Sequence, residues 1–165
     1  MTGAASRIVD RAQAASLIER WRAAGERVVL ANGVFDLVHV GHARYLADAR
    51  RLGDRLVVAI NGDASAAALK GEGRPIVPAA DRARVVAALR GVDAVVVFEE
   101  RTLDDLLRLL QPAIHAKGTD YRVDTVPERD TVRALGGETA IAGDPKSHAT
   151  RDLVTRVRER CGGAA

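Results

Sequence analysis

Cysteine is almost missing from this chain: Cys161 stands alone, so no internal disulfide can form. A zinc site would need further Cys or His ligands near one another. His115 and His148 lie far along the chain from His39 and His42, and Cys161 lies in the tail. Aromatic residues make up only 3%, so the arginines and lysines have few rings between them and do not point to a nucleic-acid surface. No apolar run approaches the length of a membrane span. The opening Met1–Arg7 lacks the charged-then-apolar layout of a secretory signal, and a cytoplasmic location is expected. What is abundant is aliphatic. Hydrophobic residues reach 47%, which excludes disorder, and 165 residues suit one domain with a proper core. The net charge of +3 is mild and suits a small anionic substrate.

The most informative stretch runs from Val28 to Leu46. It begins as an apolar strand, breaks at Asn32-Gly33, and passes His39-Val40-Gly41-His42 into a segment where Tyr45, Leu46, Ala49 and Leu52 recur at helical spacing. A strand, a turn and a helix in that order put backbone N–H groups at a positive helix end, a natural phosphate site. Gly41 lets a polyphosphate approach the backbone, while His39 and His42 can reach one small volume. Two imidazoles there can donate hydrogen bonds and stabilise developing charge without acting as nucleophiles.

Along the rest of the chain, strands alternate with helices. Helical spacing is expected from about Ala12 to Gly25, with Trp21 packed, then from Asp81 to Leu89, from Leu103 to Leu110 behind Thr102 as a cap, from Pro127 to Leu135, and from Asp152 to Arg160. Strands are expected at Arg55–Ile60, Val92–Phe98, Pro112–Ala116 and Glu138–Ala142, with His115 packed inside its strand. The alternation predicts an α/β fold, a Rossmann-like doubly wound parallel sheet in a single domain. Residues 1–26 read as an N-terminal helical extension, 27–160 as the main domain and 161–165 as a frayed tail. Ligands of such sheets collect beyond the carboxyl ends of strands, which brings Asn61, Asp63 and the Lys117–Tyr121 segment toward the histidines. Leu69–Pro78 reads as a loop able to fold a cation, Lys70, over a bound polyphosphate, and Arg82 or Arg84 could face phosphate.

Gly33-Val34-Phe35-Asp36 followed by His39-Val40-Gly41-His42 resembles the signature of the cytidylyltransferase-like nucleotidylyltransferases. Asn61-Gly62-Asp63, Leu69-Lys70-Gly71 with Arg74-Pro75, Arg82, and Lys117-Gly118-Thr119-Asp120-Tyr121 are similar to the branch of bacterial D-glycero-β-D-manno-heptose 1-phosphate adenylyltransferases. The likeness covers about Arg27 to Val157. It implies attack of a sugar phosphate on the α-phosphorus of Mg²⁺-bound ATP, giving ADP-heptose and pyrophosphate for lipopolysaccharide core synthesis. On that pattern His39, His42 and Lys70 would be catalytic. Asn32, Gly33, Phe35, Asp36, Gly41, Asn61, Arg82, Lys117 and Thr150 would bind the nucleotide, with Phe35 lending a backbone N–H and Asp36 orienting the turn or a metal-bound water. Asp63, Asp120 and Tyr121 would hold the sugar phosphate. The only metal implied is Mg²⁺ on the triphosphate. Many relatives are fused to a sugar kinase, and a stand-alone form is expected here; homodimers are common among them.

One departure stands out. Where the family carries a hydroxyl run at the start of its last helix, this chain has Ala149-Thr150-Arg151 preceded by Lys146-Ser147-His148, so that Thr150 alone keeps a hydroxyl at the matching positions. Three readings follow: the heptose 1-phosphate adenylyltransferase, a cytidylyltransferase acting on a polyol phosphate, and a nucleotide-binding module that no longer turns over.

Overall fold

A computed structural model describes residues 3–144 and 150–161. Five parallel strands form its centre: β1 (Val28–Gly33), β2 (Arg55–Asn61), β3 (Ala94–Phe98), β4 (Ile114–Gly118) and β5 (Glu138–Ala142), in the order β3-β2-β1-β4-β5. The helices are α1 (Arg11–Ala23), α2 (Val40–Arg51), α3 (Asp63–Lys70), α4 (Ala79–Ala87), α5 (Asp104–Leu110), α6 (Arg129–Ala134) and α7 (Thr150–Cys161). This is the expected doubly wound parallel sheet. Among the described residues no helix is long and apolar enough to cross a membrane.

Helices on both faces explain why the strands are continuous apolar runs and not alternating ones. Val29, Ala31, Leu56, Val58 and Ile60 pack with Tyr45, Leu46 and Ala49 of α2 and with Ala83, Val86 and Ala87 of α4. Val28, Leu30, Val57, Ala59 and Val96 pack on the other face with Ala14 and Ile18 of α1 and Leu106, Leu107 and Leu110 of α5. Helix α1 is thus part of this second core, begun by a capping box in which Asp10 accepts from the Gln13 N–H at 2.8 Å.

Three local readings are corrected. Residues Asp63–Lys70 form a helix, so Lys70 is its last residue, followed by Gly71 at φ +90°. Thr102 does not cap α5, whose N-cap is Leu103 with no side-chain cap. Arg82 does not reach outward to phosphate. It is 1% exposed, and its guanidinium donates to the carbonyls of Val34, Asn61 and Val77 and, at 2.7 Å, to the Asp63 carboxylate. The same Asp63 oxygen accepts from the Ala79 N–H at 2.8 Å, so it caps α4 from the start of α3. Both charges clamp the ends of β1 and β2 to α4.

Arg82→Leu leaves three carbonyls without their donor. The expected loss of stability is about 3 kcal/mol in urea unfolding, with nucleotide affinity of the folded protein retained. Unchanged stability with lost nucleotide affinity would return Arg82 to the ligand.

Candidate active site

The strand order reverses at β1, between β2 and β4, and the loops leaving these strands part there. A cavity of about 1080 Å³ opens at that point, over the carboxyl ends of the sheet. Asn32, Gly33, Phe35, Asp36, His39, Gly41, His42, Asn61, Lys70, Lys117, Asp120, Tyr121 and Thr150 all line it. Asp63 and Arg82 do not; they form the clamp described above. Lys146, Ser147, His148 and Ala149 lie outside the described residues.

The two histidines build the start of α2. His39 is its N-cap, with Nδ1 accepting from the Gly41 N–H at 3.1 Å, and His42 Nδ1 accepts from the His39 N–H at 3.3 Å. Imidazoles therefore do what Ser, Asp or Glu usually do at a capping box. Because each Nδ1 accepts a hydrogen bond, the proton of each neutral ring sits on Nε2. The rings lie 4.0 Å apart between centroids, and His42 also meets the Phe35 ring at 5.2 Å. Burial, and then the charges of His39 and Lys70, lower the His42 pKa to about 4. Tyr45 fixes the helix to the sheet, its hydroxyl donating to the Ala116 carbonyl at 2.7 Å.

The turn before α2 is shaped by Phe35, a non-glycine residue at φ 51°, whose ring lies where a side chain on Gly33 would be. Asp36 is 7% exposed. Its carboxylate receives Arg74 at 2.6 Å and the N–H groups of Ile76 and Val77 at 2.7 and 3.0 Å. Burial alone would raise its pKa, but Val77, Arg74 and Ile76 together hold it below the ordinary carboxylate range. Of the two roles read for Asp36, orienting the turn has direct geometric support. Arg74, which lines the cavity, was not singled out from sequence as a site residue.

At the end of β4, Lys117 Nζ donates to Asn32 Oδ1 at 3.1 Å and to Glu128 Oε1 at 3.4 Å, and lies 5.0 Å from the Tyr121 ring centre. Burial lowers the lysine pKa, and Glu128 opposes the shift. Lysine can only donate, so the amide oxygen of Asn32 must face it. The same oxygen lies 3.1 Å from His115 Nε2, which must then carry a proton. His115 is fully buried, as expected, and burial with the Lys117 charge lowers its pKa to about 3. Glu128 escaped the sequence reading. It lies eleven residues beyond its partner Lys117, and nothing in Val126-Pro127-Glu128 marks it out locally. Among the described residues no cluster of three or more His, Cys, Asp or Glu is arranged to hold a metal.

Comparison with known proteins follows the same lines. The pattern of the cytidylyltransferase-like family matches residues 30–160. The chain is 49% identical over 156 residues to the bifunctional protein HldE of Gluconacetobacter diazotrophicus, covering 94% of this chain and 32% of that one. It is also 49% identical over 151 residues to the protein of the same name from Magnetococcus marinus, covering 92% of this chain and 31% of the relative. This chain thus spans about a third of the length of those relatives. Among solved structures, a lipopolysaccharide core biosynthesis protein from Thermoplasma volcanium GSS1 superposes with a TM-score of 0.65 at 29% identity, covering 74% of this chain and all of that one.

The imidazole pKa values set a pH dependence. Both are lowered from 6.5, to about 4 for His42 and about 3 for His115, so the unfolded chain binds protons that the folded chain refuses. Stability is therefore expected to fall as the pH drops from about 6.5 toward 4. Nitrogen NMR of the ligand-free protein should show His42 as the Nε2–H tautomer, with no titration between pH 8 and 5. A midpoint near 6.5 would overturn the buried capping geometry.

Proposed function

Because this chain belongs to the cytidylyltransferase-like family, we propose that it transfers the adenylyl group of ATP to D-glycero-β-D-manno-heptose 1-phosphate, giving ADP-heptose and pyrophosphate. One observation carries the transferase reading. Two imidazoles cap the helix that starts at the switch point of the sheet, each with its Nδ1 already committed to a backbone N–H. Each Nε2 is then a donor whether the ring is neutral or protonated, which suits a polyanionic ligand whose charge shifts during reaction.

In the proposed step an oxygen of the sugar phosphate attacks the α-phosphorus as the bond to pyrophosphate breaks, with the two oxygens in line. Such a transfer asks for alignment and charge neutralisation more than for covalent help. His39 and His42 donate to the phosphates, Lys70 adds positive charge from the end of α3, and the Phe35 N–H supports the triphosphate. Gly33 and Gly41 shape its cradle, while Asn61 ends β2 on the other face of the sheet. Thr150 at the start of α7 supplies a hydroxyl on the nucleotide side, and Asp120 and Tyr121 lie toward the sugar. Mg²⁺ enters as part of the nucleotide substrate. The Asp36 carboxylate already receives three donors, so its own geometry favours holding the loop over meeting the metal.

The heptose and the adenine rest on the resemblance of the Leu69–Pro75 and Lys117–Tyr121 segments. The similarity to HldE proteins and to a lipopolysaccharide core biosynthesis protein supports the same choice. On the same grounds the reading takes the cytoplasm as the compartment, a homodimer as the assembly and lipopolysaccharide as the destination.

Pyrophosphate release with Mg²⁺ and a grid of ATP, CTP and GTP against heptose 1-phosphate and glycerol 3-phosphate tests the assignment. Release with ATP and the heptose is expected. Release with CTP and glycerol 3-phosphate would replace the substrates, and silence across the grid would favour a binding module. His42→Ala should lower kcat by roughly a hundredfold or more, with the fold intact by circular dichroism, as loss of a preorganised transition-state donor does. Near-normal turnover in that variant would remove His42 from the mechanism.

A further inference from the structure

Side chains alternate between the faces of a strand, and this divides the cavity in two. Val28 and Leu30 pack on the α1–α5 face while Val29 and Ala31 pack on the α2 face, so Asn32 falls on the α1–α5 side. Ile114 and Ala116 pack with α2, which sends His115 and Lys117 of β4 to the side of Asn32, where Asn32 Oδ1 joins them. The capping histidines belong to α2, on the opposite face. One half of the cavity therefore has the phosphate-type donors of a helix start, and the other half has something different.

That other half is built around Glu128. The residue is 7% exposed, lines the cavity and immediately precedes α6. Its Oε1 accepts from Lys117 at 3.4 Å. Its Oε2 lies at ion-pair distance from the same ammonium, 3.4 Å, yet is buried and accepts no hydrogen bond. A buried carboxylate oxygen without a donor is unfavourable, and in a cavity wall a ligand can supply the donor. Beside it stand the Asn32 amide, whose oxygen is already occupied by Lys117 and His115 so that its NH₂ group remains, and the face of Tyr121. An acceptor, a donor and an aromatic face at close range match the alternating hydroxyls and C–H faces of a sugar. They match a triphosphate poorly, because the carboxylate would repel it.

We propose that Glu128 is a specificity-determining residue of the acceptor subsite, its carboxylate accepting a hydrogen bond from a hydroxyl of the sugar phosphate beside Asn32 and Lys117. The proposal rests on the reading of a sugar phosphate as acceptor, and places that acceptor on the α1–α5 side of the sheet with the triphosphate on the α2 side.

Glu128→Gln keeps shape and volume but turns one carboxylate oxygen into a donor. Titrations would use protein with Mg²⁺ and α,β-methylene-ATP, so that no turnover occurs, and heptose 1-phosphate as the probe. The variant should bind the nucleotide analogue as the parent does and heptose 1-phosphate about tenfold or more weaker, the usual scale for a lost charged hydrogen bond. Unchanged heptose 1-phosphate affinity, or weakened nucleotide affinity alone, would overturn the proposal. Should the variant fail to fold, the parent protein answers with a series of monodeoxy mannose 1-phosphates. Removal of at least one hydroxyl is expected to cost about tenfold in affinity, and a flat series, or no binding of any sugar phosphate, would overturn it. Absence of pyrophosphate release by the parent counts against adenylyl transfer alone, since both binding arms proceed without turnover.

Discussion

Everything functional in this molecule depends on where a parallel sheet reverses its order. The chain lays β1 in the centre, builds outward through β2 to β3, and then crosses β1 to place β4 and β5 on the other side. The helix after β1 packs on one face and the helix leading into β4 packs on the other. Their starts cannot both cover the ends of β1 and β4, so a crevice is left at that point. The central strands are largely apolar because both faces are covered, and the polar side chains that face the cavity sit at or near their carboxyl ends. Asn32, Asn61 and Lys117 are each the last or next-to-last residue of their strand, which is why they meet over one cavity.

Electrostatics in the cavity are arranged to hold donors without holding much charge. His42 is held neutral because charging it inside the protein, near His39 and Lys70, is unfavourable. Lysine 117 is offset by Glu128, and the Asp36 charge is consumed by Arg74 and two backbone N–H groups. An anionic ligand entering such a site meets N–H groups that are already oriented. Little reorganisation is then needed when charge moves between oxygens, which is the condition under which fixed dipoles do most for a reaction.

Much of this was legible in the sequence, and the legible parts share a cause: they are local. Leu56–Ile60 reads as a strand because it is apolar throughout, and the strand–turn–helix around His39 and His42 is spelled out within one stretch. Other features were hidden because their partners are remote. Arg82 looks like any arginine in a first helical turn; that it is buried against the carbonyls of Val34 and Asn61 depends on how α4 crosses the ends of β1 and β2. Asp63 looks like a strand-end ligand and is in fact a cap borrowed by α4, sixteen residues away. Helix α3 has a local signal in its run of alanines after Asp63, and Lys70 is the last residue of that helix and not part of the loop that follows.

The Phe35-Asp36 pair shows how the two kinds of information join. Phe35 adopts a left-handed backbone that few non-glycine residues take, and its ring fills the space over Gly33, which brings the chain round toward α2. Asp36 then uses its carboxylate on a segment about forty residues away, seating Arg74, Ile76 and Val77. Arg82 grips that segment from its far side through the Val77 carbonyl while also holding Val34. The loop after α3 is thus tied at two points to the same turn that carries the histidines, so Lys70, Arg74 and the imidazoles share one frame. The turn is therefore more than a strand-to-helix connection: it fixes the rim of the cavity, and the residues around Phe35 and Asp36 are constrained by that geometry as well as by any contact they make with phosphate.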